Sequence, residues 1–146
     1  MTIIQFAYVS AVMALFYSIW LLTRVIASPA GDAKMQEIAR AIQEGAAAYL
    51  KRQNSVVALV GFLVTLLLLA TIGKLVALGF LAGALASAFA GYVGMYVAVR
   101  ANVRVAEAAK GGIVPAFELA FRGGAVTGFF VAGLALLLLT VFYVST

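Results

Sequence analysis

Four stretches of this chain, residues 3–23, 55–73, 75–99 and 123–145, contain no charged residue and are each close to the length that crosses a lipid bilayer. About 20 helical residues span a hydrocarbon core of roughly 30 Å. No water is available there for backbone N–H and C=O groups, so each stretch must be a helix that satisfies itself. The pattern predicts an all-α, polytopic membrane protein with four transmembrane helices, at about 3–27, 32–73, 75–110 and 114–145. Residues 1–146 then form a single membrane unit. The totals agree: 66% of the residues are hydrophobic and 10% are charged, whereas soluble domains carry about a quarter charged residues. The run at 3–23 has no Lys or Arg ahead of it and is too long for a signal-peptide core, so a retained helix is expected.

The charges that do occur are one-sided. Arg24, Lys34, Arg40, Lys51 and Arg52 fall between the first two spans, and Arg100, Arg104, Lys110 and Arg122 between the last two; only Lys74 lies in the middle connection. By the positive-inside rule the nine grouped charges face the cytoplasm and both termini lie outside. The net charge of +5 therefore points to anionic lipid headgroups, and not to nucleic acid. With no Cys and no His, disulfides, thiol chemistry and the commonest acid–base group are excluded.

Between the first two spans lies GDAKMQEIARAIQEGAAAYLKRQ, residues 31–53. Met35, Ile38, Ile42, Ala46 and Tyr49 recur at helical spacing and predict one apolar face. Glu37, Arg40, Glu44 and Lys51 fall on the opposite side, with Arg40 and Glu44 spaced for an ion pair, and Asp32 is placed to cap the start. No Pro or turn signal separates Arg52 from Val56, so one helix is expected over 32–73. At 1.5 Å per residue it is about 60 Å long, twice the hydrocarbon thickness, and its first half must stand in the cytoplasm. The third helix mirrors it, running on as RANVRVAEAAK before GGIVP at 111–115 ends it with a glycine turn and starts the next helix with Pro115.

Small residues form rows four apart: Ala82, Ala86, Ala90, Gly94 and Ala98, with Gly79, Gly83, Ser87 and Gly91 beside them, and Ala116, Ala120, Gly124, Gly128 and Ala132 on the last helix. Such rows let membrane helices approach closely. The rows serve either packing within the four helices or a seam for partner helices. The run Gly45–Ala48 predicts another close-contact patch, toward helices beyond these four, since Gly in a helix interior otherwise costs about 1 kcal/mol.

Catalytic chemistry is sparse. No ionisable acid or base lies within any span, although transport pathways need one at membrane depth; this disfavours a small exporter. The chain has one Asp, Asp32, and four Glu, Glu37, Glu44, Glu107 and Glu118. Ion pairing accounts for three of the glutamates, and a helix N-terminus for Glu118. A magnesium-phosphate site needs several converging carboxylates. No catalytic, cofactor-binding or metal-ligating residue is assigned.

KMQEIARAIQEGAAAYLKRQ (34–53) resembles the entry to the second helix of membrane-bound, ion-pumping pyrophosphatases. GYVGMYVAVRANVRVAEAAKGGIVPAFELAFRGGAVTGFFVAGLALL (91–137) is similar to the third-to-fourth helix region of that family. The resemblance implies homodimers several times longer than this chain. Such proteins hydrolyse pyrophosphate at a cytoplasmic Mg2+ site and move protons or sodium ions outward. The Asp-rich pyrophosphate motifs of the family lie on later helices and are absent here. What carries over is Met35–Gln53 and Arg100–Gly112, as scaffold positions bracing the site above the membrane. The resulting expectation is the N-terminal part of a pyrophosphate-energised proton pump in the cell inner membrane. It would be inactive alone, its Mg2+ held elsewhere in the full-length protein, and its partners would be lipid and the pump's remaining helices. The alternative is a stand-alone, non-enzymatic membrane scaffold.

Overall fold

The computed structural model of the chain describes residues 2–145. Four long α-helices make up almost all of it: α1 (Ile3–Ala27), α2 (Ala33–Thr71), α3 (Lys74–Ala108) and α4 (Ile113–Ser145), with a short 3-10 turn at Ala109–Gly111. All four are long and apolar enough to cross a membrane, as the uncharged runs predict.

Local chemistry explains where the helices begin and end. Thr2 and Gln5 form a capping box at the start of α1, the Thr2 N–H donating to Gln5 Oε1 at 3.0 Å. At the other end Pro29 disfavours helical geometry in the residue before it, and Ser28 is extended, at φ −68° and ψ 148°. Asp32 caps α2, accepting from the Met35 N–H at 2.9 Å. The α2–α3 reversal turns on Gly73 and the α3–α4 reversal on Gly112, at φ values of 130° and 114° that only glycine adopts without strain. Pro115 sits in the first turn of α4, where its missing N–H leaves no hydrogen bond unmade.

The helices do not close into a four-membered bundle. They stand in a row in the spatial order α1, α4, α3, α2. α1 lies along α4 and only brushes α3, α3 packs between α4 and α2, and α2 touches neither α1 nor α4. The core is correspondingly small and sits where α1, α3 and α4 meet, around Leu21, Val25, Val97, Ala101, Leu119 and Val126. Beside it the buried Ser18 hydroxyl donates to the Val126 carbonyl at 2.7 Å, pinning α1 to α4 inside an apolar environment.

Within this chain the small-residue rows are used unevenly. The close approaches on α4 do not run along Gly124 and Gly128, where an added Cβ would meet nothing within 4 Å. They fall at Gly123, which faces α3 and where a Cβ would lie 3.2 Å from the Ala101 Cβ, and at Gly133, which faces α1 and where a Cβ would lie 3.0 Å from the Ala11 carbonyl oxygen. On α3, Gly94 meets Thr127 of α4, while Gly83 and Gly91 border an open apolar groove of about 940 Å3 between α3 and α4. The row four apart is present, but adjacent rows on one helix are equally small, and the partner helix selects among them. Gly45 has no neighbour within 4 Å in this chain; the contact expected for Gly45–Ala48 is with helices beyond these four, outside this chain.

Candidate functional site

The two segments with the most polar character, Met35–Gln53 and Arg100–Gly112, lie side by side. α2 touches only α3, so its covered face is the one that packs there. That face is Ala39, buried, with Met35, Gln43, Ala46 and Leu50 half-buried. Its alanines let the two backbones come close. The face predicted to be covered is only partly so: Ile38, Ile42 and Tyr49 point outward and are 54%, 49% and 59% exposed. Packing thus follows the small residues, and the large apolar ones form a separate exposed strip about a quarter-turn away.

Between α2 and α3 lies a notch of about 330 Å3 lined by Arg40, Arg100 and Arg104, by Gln36 and Gln43, and by a small apolar floor that includes Ala39 and Val103. No carboxylate lines it. The three arginines are held differently. Arg104 reaches across to the end of α1: its Nε donates to the Ile26 and Ser28 carbonyls at 3.2 and 3.1 Å, and its Nη2 to Ile26 at 3.0 Å. These are carbonyls that a helix C-terminus leaves without intrahelical partners. The Arg104 Nη1 also donates to the Arg100 carbonyl at 2.7 Å. Arg100 lies over the Tyr96 ring, its guanidinium carbon 3.5 Å from the centroid, and donates to the Tyr96 carbonyl. Arg40 makes no hydrogen bond or ion pair among the described residues; the spacing to Glu44 is available but unused.

A second charged cluster ties the layer together. Lys110, in the 3-10 turn that follows α3, bonds Asp32 at 3.5 Å and Glu107 at 2.5 Å. The Met35 N–H, more than any other group, holds the Asp32 carboxyl below its usual range, while Glu107 raises Lys110. The carboxylate contribution is lost only as pH falls through the lowered Asp32 value, and the ammonium contribution only as pH rises through the raised Lys110 value. The link is therefore intact across neutral pH. Both groups are exposed, so it orients the α1–α2 connection more than it stabilises it. Glu118, placed by sequence at a helix start, pairs with Arg122 one turn on.

Comparison with known proteins gives the family. The model of a protein family described as Inorganic H+ pyrophosphatase matches residues 12–146. The chain belongs to that family. It is 48% identical over 130 residues to a K(+)-insensitive pyrophosphate-energized proton pump of Methanosarcina mazei, covering 88% of this chain and 19% of that protein. It is 46% identical over 127 residues to a K(+)-insensitive pyrophosphate-energized proton pump of Moorella thermoacetica, covering 86% and 19%. A K(+)-stimulated pyrophosphate-energized sodium pump of Thermotoga maritima is 41% identical over 121 residues, covering 82% and 17%. The chain thus spans about a fifth of the length of these relatives.

Holding pyrophosphate through Mg2+ takes converging carboxylates, and the acidic residues here do not fit that task. Among the described residues no three of His, Cys, Asp and Glu converge as a metal site. Asp32 and Glu107 are bridged by the Lys110 ammonium, which occupies the position a cation would need, and Glu118 is taken by Arg122. What the layer offers is positive charge and hydrogen-bond donors.

Proposed function

We propose that this chain forms the first four helices of a pyrophosphate-energised ion pump. It would serve as an outer scaffold whose charged layer stands on the cytoplasmic side of the cell inner membrane. The family match over nearly the whole chain carries this reading. The relatives include proton pumps at 37–48% identity and sodium pumps at 41–42%, so the moved ion is a proton or a sodium ion, and identity does not choose between them. Pyrophosphate and its Mg2+ are handled by other helices of the pump, and the assembled pump is a homodimer. The exposed strip Ile38–Ile42–Tyr49 supports the presence of those other helices, because it stands beyond the uncharged span of α2, where hydrocarbon does not cover it.

The deciding experiment tags the chain at its chromosomal locus, isolates it from native membranes and reconstitutes the isolate in liposomes. Pyrophosphate-driven acidification or alkalinisation of the lumen is expected from the native isolate. An inert isolate would favour the stand-alone scaffold. Residues 1–146 purified alone are expected to show no pyrophosphate hydrolysis at any Mg2+ concentration, since a multi-metal site needs more converging carboxylates than five scattered ones provide. Metal-dependent turnover by a clean preparation would overturn the scaffold role.

The orientation has its own test. A reporter fused after Thr146 is expected to be exported, and one inserted at Gly111 to remain cytoplasmic, because nine of ten basic residues fall on one side. The opposite pattern would reverse the assignment.

A further inference from the structure

The arginine-lined notch between α2 and α3 has no role in the scaffold reading. We infer that it binds a phosphate group at the membrane surface.

Charge is the first argument. Arg40, Arg100 and Arg104 line one small concavity, and no carboxylate does. Of the nearby carboxylates, Glu107 and Asp32 are committed to Lys110, while Glu37 and Glu44 stand three and four residues from Arg40 on the same helix, do not line the notch and form no ion pair among the described residues. Three like charges around a common space repel, and an anion between them removes that repulsion.

Donor geometry is the second. Arg104 spends most of its guanidinium on α1 and is fixed by it, so it contributes a rigid positive wall. Arg100 is oriented by Tyr96 and gives one N–H to the backbone, leaving further donors. Arg40 is unengaged, and the Gln43 side chain makes no hydrogen bond among the described residues. Gln36 is held by the Gly31 carbonyl at 2.8 Å. A fixed set of guanidinium forks beside free donors matches a tetrahedral oxyanion better than a planar or apolar ligand.

Depth is the third. Arg100 follows directly on the uncharged run 75–99, and Arg104 is one helical turn farther. Headgroups add about 5–8 Å to each side of the hydrocarbon core, so by α3 the notch begins at the level of lipid phosphates, while by α2 it extends farther out, Arg40 standing 15 residues, about 22 Å, before the uncharged run 55–73. The same chemistry accepts inorganic phosphate from solution.

The test isolates the chain with its co-purifying helices. It measures binding, not pumping, so its result stands or falls independently of the transport reading. Arg40→Gln is the diagnostic variant: Arg40 holds nothing else in place, so the fold is unaffected. Lys34→Gln removes the same charge outside the notch. In one arm, delipidated protein is offered phosphatidylglycerol or phosphatidylcholine nanodiscs, and retained lipid is counted by native mass spectrometry. In the other, inorganic phosphate is titrated in detergent at two salt concentrations. A roughly tenfold weakening in Arg40→Gln but not Lys34→Gln is expected, since a hydrogen bond to a charged group contributes at least that factor. Seen for phosphatidylglycerol, it identifies a lipid site; seen for inorganic phosphate, a soluble-anion site. If neither arm distinguishes Arg40→Gln from Lys34→Gln, the inference is overturned, which is also the result expected if a carboxylate from another helix fills the notch.

Discussion

Gly133→Leu is expected to drive α1 off α4 and to lower the stability of the chain by about 1–3 kcal/mol, the usual effect of overfilling a packed contact. A Cβ at this position already sits 3.0 Å from the Ala11 carbonyl oxygen, 3.0 Å from Leu15 Cγ and 3.2 Å from Ala14 Cβ. The first of these is backbone and cannot turn aside as a side chain could. Alanine is the instructive intermediate, since replacing a helical glycine gains about 1 kcal/mol and the added methyl loses a comparable amount against Ala11. The net effect of Gly133→Ala should be small, whereas leucine adds three further carbons to a Cβ that is already tight against α1. Gly128→Leu serves as the control, because nothing lies within 4 Å of its Cβ position. The check is the unfolding midpoint of residues 1–146 in mixed micelles. Equal midpoints for Gly133→Leu and Gly128→Leu would mean that α1 and α4 do not meet as described.

Arg104→Met should be the second severe change. Methionine keeps the apolar stem but strips every donor from the carbonyls of Ile26 and Ser28, which sit at the end of α1. Hydrogen bonds from charged groups contribute about 1.5–3 kcal/mol each when shielded. Arg104 is only half-buried, so a loss of about 2–3 kcal/mol overall is the reasonable scale. Arg104→Lys should restore less than half of it, because a single ammonium cannot reproduce the fork that reaches two carbonyls at once. The effect should be local: amide exchange should accelerate at the C-terminal turn of α1 and through the connection to Asp32, with the α3–α4 contact unchanged. Uniform acceleration along all four helices would argue against a clamp.

Much of this architecture is legible in the residues. The uncharged runs specify the helices because the bilayer imposes a length and a polarity that few other environments do. Asp32 as a cap and the Gly112–Pro115 punctuation follow from local chemistry and are found in place. The order of the helices in space is not legible. All four are apolar on every side within their spans, so no periodic face announces a neighbour, and the choice between Gly133 and Gly128 rests on shapes contributed by α1. The outward turn of Ile38, Ile42 and Tyr49 escapes sequence reasoning for a related reason: periodicity detects an apolar face but not which helix it meets. The charged layer illustrates a third limit. Arg100 and Arg104 read from sequence as orientation signals beyond a span. Their separate duties, one on Tyr96 and one on the carbonyls of α1, depend on where the end of α1 comes to rest.

The placement of α1 against α4, with no contact to α2, has a consequence for biogenesis. The residues that enclose Val25 include Val126, about a hundred positions later. At typical synthesis rates of about 5–20 residues per second, the interval between them is on the order of 5–20 s. During that time α1 resides in the bilayer without its partner. The Ser18 hydroxyl, later bonded to Val126, must meanwhile turn back onto a carbonyl of its own helix. α2 and α3 can pair as soon as both are inserted, and Arg104 can then hold the end of α1, but α1 gains its main partner only when α4 arrives. The nascent chain therefore matures from its middle outward, and an insertion factor able to shelter a single helix would act on α1 above all.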